Sequence, residues 1–172
     1  MSTDTFDTPT WLADEMIHCA MRAMEEPRAA IALDPSAGTG RLLRTMKPHA
    51  DRLLAVESNP DMRSALEAWA TPTDVHIADF MRWTFREGGI GLILMSPPPL
   101  RATEHIARAY FALKPGGVLV ALAPRAYVKA SSKQDRALLQ LVNLKGKSFG
   151  LPDNAFEASG VTYVAEMVQI RK

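Results

Sequence analysis

The chain has 172 residues, of which 47% are hydrophobic and 23% charged, and its formal net charge is +1. This length and composition are typical of one globular domain, so we expect a single domain over residues 1–172. Apolar stretches fall short of the roughly 20 residues that a membrane span needs, and the first residues lack a signal-peptide pattern. We therefore expect a cytoplasmic protein without a membrane partner. A single cysteine, Cys19, excludes an internal disulfide and a cysteine metal cluster, and its helical neighbours predict a core thiol.

Helical and strand patterns alternate along the chain, which predicts a parallel α/β sheet. Thr8 and Pro9 predict the start of the first helix, with Thr8 as its cap and Pro9 at the first helical position. The apolar face of this helix consists of Trp11, Leu12, Met16, Ile17, Ala20 and Met24. Strands are predicted at residues 29–33, 53–56, 75–77, 90–95 and 118–123, and helices at residues 41–46, 61–69 and 103–113. Residues 114–117, KPGG, are predicted to end the last of these helices.

The last third of the chain has a different pattern. A basic helix is predicted over residues 126–144, followed by strands at residues 146–151 and 162–170. We expect these two strands to form an antiparallel hairpin at one edge of the sheet.

A glycine-containing turn, DPSAGTG at residues 34–40, follows the first predicted strand. In an open α/β sheet, ligands bind beyond the carboxyl ends of the strands. Gly38 and Gly40 carry no side chain, so the backbone can approach a ligand closely there. Asp34 could accept a hydrogen bond from an ammonium group. A tight strand-to-helix turn without a ligand is the alternative interpretation.

Acidic residues also end the second and third predicted strands. Glu57 lies about 20 residues after the glycine turn, where a carboxylate can accept hydrogen bonds from both hydroxyls of a ribose. Asp79 could accept a hydrogen bond from an adenine amino group, and Phe80 could stack on the adenine face. The turn lacks the third glycine of a dinucleotide fingerprint and the lysine of a P-loop. A ligand with adenine, ribose and an amino-acid end therefore fits better than a dinucleotide.

These motifs resemble those of class I S-adenosylmethionine-dependent methyltransferases. ALDPSAGTGRLL is similar to the glycine-rich first motif of that family, AVESNP to its ribose-binding strand end, and HIADFMRW to its adenine-binding loop. FDTPTWLADEM and LILMSPPP resemble the amino-terminal motif and the catalytic Asp/Asn/Ser-Pro-Pro-aromatic motif of enzymes that methylate adenine in DNA or RNA. LKPGGVLVALAP and NAFEASGVTYVAEMVQI resemble the late strands, so the resemblance covers nearly the whole chain.

The resemblance implies a Rossmann-like fold with a mostly parallel seven-stranded sheet, an antiparallel carboxyl-terminal hairpin and helices on both faces. It implies S-adenosylmethionine as the cofactor and methyl transfer to an exocyclic amino group of adenine. The implied cofactor-binding residues are Phe6, Thr8, Pro9, Asp34, Pro35, Ser36, Ala37, Gly38, Gly40, Glu57, Ser58, Asp79, Phe80 and Ser96. The implied catalytic residues are Ser96, Pro97, Pro98 and Pro99.

Position 99 departs from the resembled motif, because proline replaces the aromatic residue that stacks on a flipped-out base. Three alternatives stay open: Pro99 packs weakly against the base, Trp83 or Tyr127 supplies the ring from elsewhere, or the catalytic site has decayed. The neutral Ser96 hydroxyl is a poorer acceptor for the amine protons than aspartate or asparagine. We expect no separate target-recognition domain, so short loops, a recognition subunit or a homodimer partner would read the target.

Residues 125–147 contain six basic residues and one acidic residue, which gives this segment a net charge of +5 and the rest of the chain −4. Four of the basic residues recur every three or four positions, so one helical face is expected to contact a nucleic-acid backbone. The residues expected to bind nucleic acid, DNA or RNA, are Arg101, Arg125, Lys129, Lys133 and Arg136. The alternative is a solvated amphipathic helix that turns Leu138, Leu139 and Val142 toward the core.

Four histidines are scattered along the chain without ligand spacing, so we predict no metal site. The leading hypothesis is a methyltransferase that acts on adenine in nucleic acid. Two alternatives stay open. One is a catalytically impaired accessory subunit that binds cofactor or nucleic acid, and the other is a methyltransferase of small molecules.

Overall fold

The computed structural model describes residues 7–67, 73–85, 88–160 and 163–172, and these contain one seven-stranded sheet. Its strands are β1 (Ala29–Asp34), β2 (Ala50–Glu57), β3 (Thr73–Ile77), β4 (Ile90–Met95), β5 (Leu113–Pro124), β6 (Gly146–Gly150) and β7 (Ala165–Arg171). The spatial order is β3-β2-β1-β4-β5-β7-β6. Neighbours from β3 to β5 pair in parallel, whereas β7 is antiparallel to both β5 and β6. The predicted Rossmann-like fold is thereby confirmed.

The central strand β4 shows why the sheet forms this way. All six of its residues are buried, as expected for a parallel strand covered on both faces. Strand β5 is longer than predicted, because Leu113 pairs with Ile90 and Val118 pairs with Leu92. Residues 114–117 therefore form an irregularity within the strand instead of ending the preceding helix, and Gly116 provides the positive φ of 76° there.

Five α-helices lie on the two faces of the sheet in the described part of the chain: α1 (Thr10–Ala23), α2 (Arg41–Met46), α3 (Arg63–Glu67), α4 (Ala102–Ala112) and α5 (Lys133–Lys145). The first three pack into one apolar cluster and the last two into the other. None of the described helices is long and apolar enough to cross a membrane. The predicted helix over residues 61–69 consists of a 3-10 turn and α3, and its end at Trp69 lies outside the described residues.

Helix α1 differs in detail from the prediction. Pro9 is its N-cap residue and no side chain caps it, so the prediction of Thr8 as the cap is wrong. Trp11 is 46% exposed, although it was expected on the apolar face. The predicted core thiol is confirmed, since Cys19 is buried and this burial raises the pKa of the thiol.

The predicted basic helix is divided into two pieces. A 3-10 helix covers Arg125–Lys129, Ala130 has a positive φ of 51°, and α5 begins only at Lys133. The division has a local cause, because Ser132 and Asp135 form a capping box that fixes the start of α5. The predicted single face of basic side chains is therefore wrong. Leu138 and Val142 face the core and Leu139 is partly buried against it, as the alternative of a solvated amphipathic helix predicts.

Candidate functional site

A cavity of about 500 Å³ lies at the carboxyl ends of the central parallel strands. This is the size and location expected of a small-molecule site in an open α/β sheet. Most of the lining residues follow four strands of the sheet. Pro35, Ser36, Gly38 and Thr39 come after β1, and Glu57, Ser58 and Asn59 lie at the end of β2. Ala78, Asp79 and Phe80 come after β3, and Ser96, Pro97 and Pro98 come after β4. Asp7, Met62, Arg101 and His105 complete it. The structure thus brings together residues from four separate predicted motifs.

Glu57 is held rigidly at the floor of the cavity. Its Oε2 accepts a hydrogen bond of 2.7 Å from the Gly38 N–H, and its Oε1 accepts one of 2.7 Å from the Asn59 N–H. The Ser58 hydroxyl lies 3.3 Å from Oε1. Because each carboxylate oxygen has two acceptor positions, Oε2 retains one for a ligand, whereas Oε1 already accepts from both the Asn59 N–H and the Ser58 hydroxyl. Glu57 therefore presents one open acceptor to the cavity, and a second when the Ser58 hydroxyl turns away.

Asp34 lies beneath the glycine turn. It is 1% exposed, does not line the cavity, and accepts a hydrogen bond of 3.1 Å from the Ser36 N–H. Burial raises the pKa of Asp34 to about 7, although the Ser36 N–H lowers it, and the nearby Glu57 raises it further. This position supports the turn and does not match the predicted direct contact with an ammonium group. Ala37 and Gly40 also stay outside the lining, and the Gly40 N–H donates to the Ala37 carbonyl oxygen.

The amino-terminal segment contributes a carboxylate that sequence reasoning missed. Asp7 lines the cavity, where its Oδ1 accepts a hydrogen bond of 2.8 Å from the Thr39 hydroxyl and its Oδ2 lies 3.8 Å from Arg41. Among the residues predicted from this motif, Thr8 is buried, Pro9 caps α1, and neither lines the cavity. Phe6 lies outside the described residues.

Asp79 and Phe80 line the part of the cavity that follows β3. Asp79 accepts a hydrogen bond of 2.8 Å from the Met81 N–H on Oδ1, and its Oδ2 lies 3.9 Å from Arg101. Phe80 is only 2% exposed and packs against Trp83 and Phe85. The Phe80 ring is therefore almost completely covered by its neighbours and does not present the open face that stacking on adenine was expected to use.

The loop after β4 supplies the other wall. Ser96, Pro97 and Pro98 line the cavity, and the Ser96 hydroxyl is buried without a hydrogen-bond partner among the described residues. Pro99 does not line the cavity. It begins a 3-10 turn, Pro99–Arg101, in which Leu100 is 95% exposed.

The two aromatic residues considered as substitutes for the missing motif ring lie elsewhere. Tyr127 is buried, interacts through its hydroxyl with Ser148 and Glu166, and is absent from the lining. Trp83 packs between His76 and Phe80 and does not line the cavity either. Neither ring faces the cavity in the described part of the chain, so this structure does not support the alternative in which one of them replaces the motif ring.

The predicted basic residues lie at different places. Arg101 is at the cavity, between Asp79 and Glu104. Arg125 is engaged with the Asp153 carboxylate at 2.7 Å and the Leu151 carbonyl oxygen at 2.6 Å.

Lys129 and Lys133 are exposed near the carboxyl end of β5, and Arg136 donates to the Ala130 carbonyl oxygen. Lys145 and Lys147 lie at the other end of α5, where they line a second cavity with Gly116 and Arg171. The basic segment thus reaches from the carboxyl ends of the parallel strands to the side of the sheet where these strands begin. The described residues contain no group of three or more His, Cys, Asp or Glu side chains placed to hold a metal ion.

The sheet order and the strand-end cavity together define the Rossmann-like fold of class I methyltransferases. A methyltransferase subunit of a type I restriction-modification system from Streptococcus thermophilus has this fold, with a TM-score of 0.78 and 19% identity over 97% of this chain and 45% of that one. The chain therefore spans less than half the length of that protein.

Two smaller proteins are also similar to the chain. The N-methyltransferase NodS from Bradyrhizobium japonicum, solved with S-adenosyl-L-homocysteine, gives a TM-score of 0.69 at 14% identity over 96% of this chain and 89% of that one. The tRNA methyltransferase TrmI from Aquifex aeolicus gives 0.64 at 14% identity over 99% and 71%. Comparison with family models and with curated protein sequences gave no match. Likeness at these identities establishes the fold.

Proposed function

We propose that this chain is an S-adenosylmethionine-dependent methyltransferase whose methyl acceptor is an exocyclic amino group of adenine in DNA or RNA. The observation that carries the proposal is the composition of the cavity, which has carboxylates at the ends of β2 and β3 and a Ser-Pro-Pro loop after β4. The fold shared with solved methyltransferases, one of them holding S-adenosyl-L-homocysteine, supports it.

The residues at the cavity suit the three parts of S-adenosylmethionine. The open position on Glu57 Oε2, together with the position on Oε1 that the Ser58 hydroxyl would vacate, matches the two hydroxyls of a ribose. Asp79 Oδ2 suits an adenine amino group, because its other oxygen is already used by Met81. Asp7, about half exposed beside the glycine turn, is the carboxylate best placed for the ammonium group of the methionine end.

The chemistry of methyl transfer needs positioning more than it needs a strong base. The bound cofactor supplies an electrophilic methyl group. The Ser96 hydroxyl, which has no partner among the described residues, can accept a hydrogen bond from the acceptor amine. Pro97 and Pro98 fix the loop so that the amine is held in line with the transferred group, and such alignment supplies a large part of the rate acceleration.

The basic residues near the cavity support a nucleic-acid acceptor. Lys129 and Lys133 are exposed on the same edge of the sheet as the cavity, and Arg101 lies at the cavity itself. Positive side chains there would bind the phosphate backbone while the base enters the cavity. Arg125 serves this purpose less well, because its guanidinium already bonds to Asp153 and Leu151.

The direct test is transfer of a radiolabelled methyl group to unmethylated DNA and to RNA. We expect incorporation at the adenine amino group by the wild-type chain and loss of incorporation in Glu57→Ala. The assay should include candidate recognition subunits, since one of the proteins with this fold is a subunit of a type I restriction-modification system. If wild-type protein that binds the cofactor methylates neither nucleic acid, with or without such subunits, the acceptor assignment is wrong.

One observation favours a second candidate, an accessory subunit that binds cofactor without efficient catalysis. Pro99 carries no aromatic face, does not line the cavity, and is followed by the exposed Leu100. We expect Pro99→Tyr to increase the methylation rate, since stacking on a base contributes about 1–3 kcal/mol. If the methylation rates of the wild type and of Pro99→Tyr are both negligible, although Pro99→Tyr still binds cofactor and nucleic acid, the accessory role is supported.

A further inference from the structure

His105 is a buried polar side chain of the cavity that the proposed function leaves unexplained. It projects from α4, lines the cavity and is 5% exposed. Both of its ring nitrogens are buried without a hydrogen-bond partner among the described residues. A buried polar group without a hydrogen-bond partner destabilises the fold, so a ligand that binds in the cavity is the expected partner of His105.

The surroundings of His105 restrict what that partner can be. Its ring lies 5.6 Å from the Phe80 ring, between centroids, and so occupies the end of the cavity assigned to adenine. The pKa of His105 is lowered, chiefly by burial and then by Arg101, while Asp79 and Glu104 oppose this and Arg108 adds to it. The imidazole is therefore neutral at pH 7, with one nitrogen as donor and the other as acceptor.

A half-turn of the His105 ring interchanges its nitrogen and carbon positions without changing the space that the ring fills. The small exposed part of His105 belongs to atoms other than its nitrogens, since both of these are covered. A half-turn about the Cβ–Cγ bond exchanges Nδ1 with Cδ2 and Nε2 with Cε1. The ring can thus stay packed beside Phe80 while it offers a donor or an acceptor to a flat heterocycle.

We propose that the His105 imidazole forms a hydrogen bond with the purine edge of the bound cofactor and so helps the cavity to select adenine over other bases. This inference rests on the proposed function, because it assumes that the cavity holds an adenosyl ligand. It makes His105 a specificity-determining residue and assigns it no part in the methyl transfer step.

The test measures how three ligands bind to three proteins by calorimetric titration. The ligands are S-adenosyl-L-homocysteine, its 6-oxo analogue S-inosyl-L-homocysteine, and its 7-deaza analogue. The proteins are the wild type, His105→Phe, which keeps a ring beside Phe80 but removes both nitrogens, and His18→Phe, the same exchange at an exposed position of α1.

For S-adenosyl-L-homocysteine, we expect His105→Phe to lose roughly 2- to 12-fold in affinity, the value of one neutral hydrogen bond, and His18→Phe to lose none. For at least one of the two analogues, the loss in His105→Phe should vanish, because that analogue lacks the atom that His105 contacts. A loss of the same size for all three ligands, or no loss for any, overturns the proposal.

The failure of this inference is distinguishable from failure of the proposed function. If the wild type binds none of the ligands, the cofactor assignment itself is wrong. If S-adenosyl-L-homocysteine binds equally well to both variants and only the affinity for nucleic acid changes, His105 contacts the acceptor and this inference is wrong. Should His105→Phe fail to fold, nitrogen NMR of the wild type decides: the His105 ring nitrogens must shift on ligand binding, and unchanged signals contradict the proposal.

Discussion

The two ends of the cavity differ in how far their polar atoms are already satisfied. At the end that contains Glu57 and the glycine turn, both oxygens of Glu57 accept backbone hydrogen bonds of 2.7 Å. Asp34 supports this turn by accepting a hydrogen bond from the Ser36 N–H. At the loop after β4, the Ser96 hydroxyl has no partner within the described residues, and Leu100 projects almost fully into solvent. The first end is organised before any ligand binds, whereas the second is completed only by a ligand or a partner.

The largest effect expected is on the organised end. Glu57→Gln should weaken binding of S-adenosyl-L-homocysteine by roughly 10- to 100-fold, because hydrogen bonds to a charged group contribute about 1.5–3 kcal/mol. In the wild type the Gly38 and Asn59 N–H groups donate to the Glu57 carboxylate. The NH₂ group of glutamine would face one of these N–H groups, so two donors would meet and one hydrogen bond would be lost. Calorimetric titration measures the loss.

The matched control for Glu57→Gln is Glu67→Gln, the same exchange at an exposed residue of α3 that pairs with Arg63. It should leave ligand affinity unchanged. Equal affinities for both variants and the wild type would show that the cavity does not bind ribose through Glu57.

The second prediction concerns Asp34, which supports the organised end from below. Its pKa is raised from 3.8 to about 7, so the folded chain binds a proton there more tightly than the unfolded chain. The free energy of unfolding should therefore fall as the pH rises from about 3.8 to about 7. Asp34→Asn should remove the contribution of this carboxyl group to the pH dependence. Urea unfolding between pH 4 and pH 8 measures both slopes.

Asp14→Asn, at an exposed position of α1, is the control for Asp34→Asn. It should retain the pH dependence of the wild type. Identical pH dependence in the wild type and in Asp34→Asn would mean that Asp34 is not the group responsible.

The smallest effect is expected outside the cavity, on the affinity for the nucleic acid that would accept the methyl group. Lys129→Ala and Lys133→Ala should each weaken nucleic-acid binding a few-fold and reduce the slope of log K against log salt by about 1. The control is Lys145→Ala, because α5 has 13 residues and places Lys145 about 20 Å from Lys133, at the opposite edge of the sheet. An equal loss in Lys145→Ala would show that the contact extends over the whole basic segment or is unspecific.

The fold could be predicted closely because its signals are local. Helix α2 and strand β4 have the predicted bounds, since glycine or proline punctuates the apolar runs there. The irregularity at residues 114–117 could not be predicted, because it depends on pairing with β4. The break before α5 does have a sequence signal, the Ser132-x-x-Asp135 capping box, which the helical spacing of the basic residues obscured.

The candidate site could be predicted in its chain positions but not in its side-chain directions. Glu57 and Asp79 reach the cavity as expected, whereas Asp34 points into the structure and Asp7 takes the exposed place beside the glycine turn. Spacing along the chain places a carboxylate at a strand end, but the packing of neighbouring elements decides which way it points. His105 gave only a weak signal, a polar residue among apolar positions of α4.

The decisive measurement is a crystal structure with bound S-adenosyl-L-homocysteine. We expect both ribose hydroxyls within hydrogen-bond distance of the Glu57 carboxylate and the purine between Asp79 and His105. Ligand density at any other place on the molecule, or a ligand in the cavity whose ribose does not contact Glu57, would contradict it.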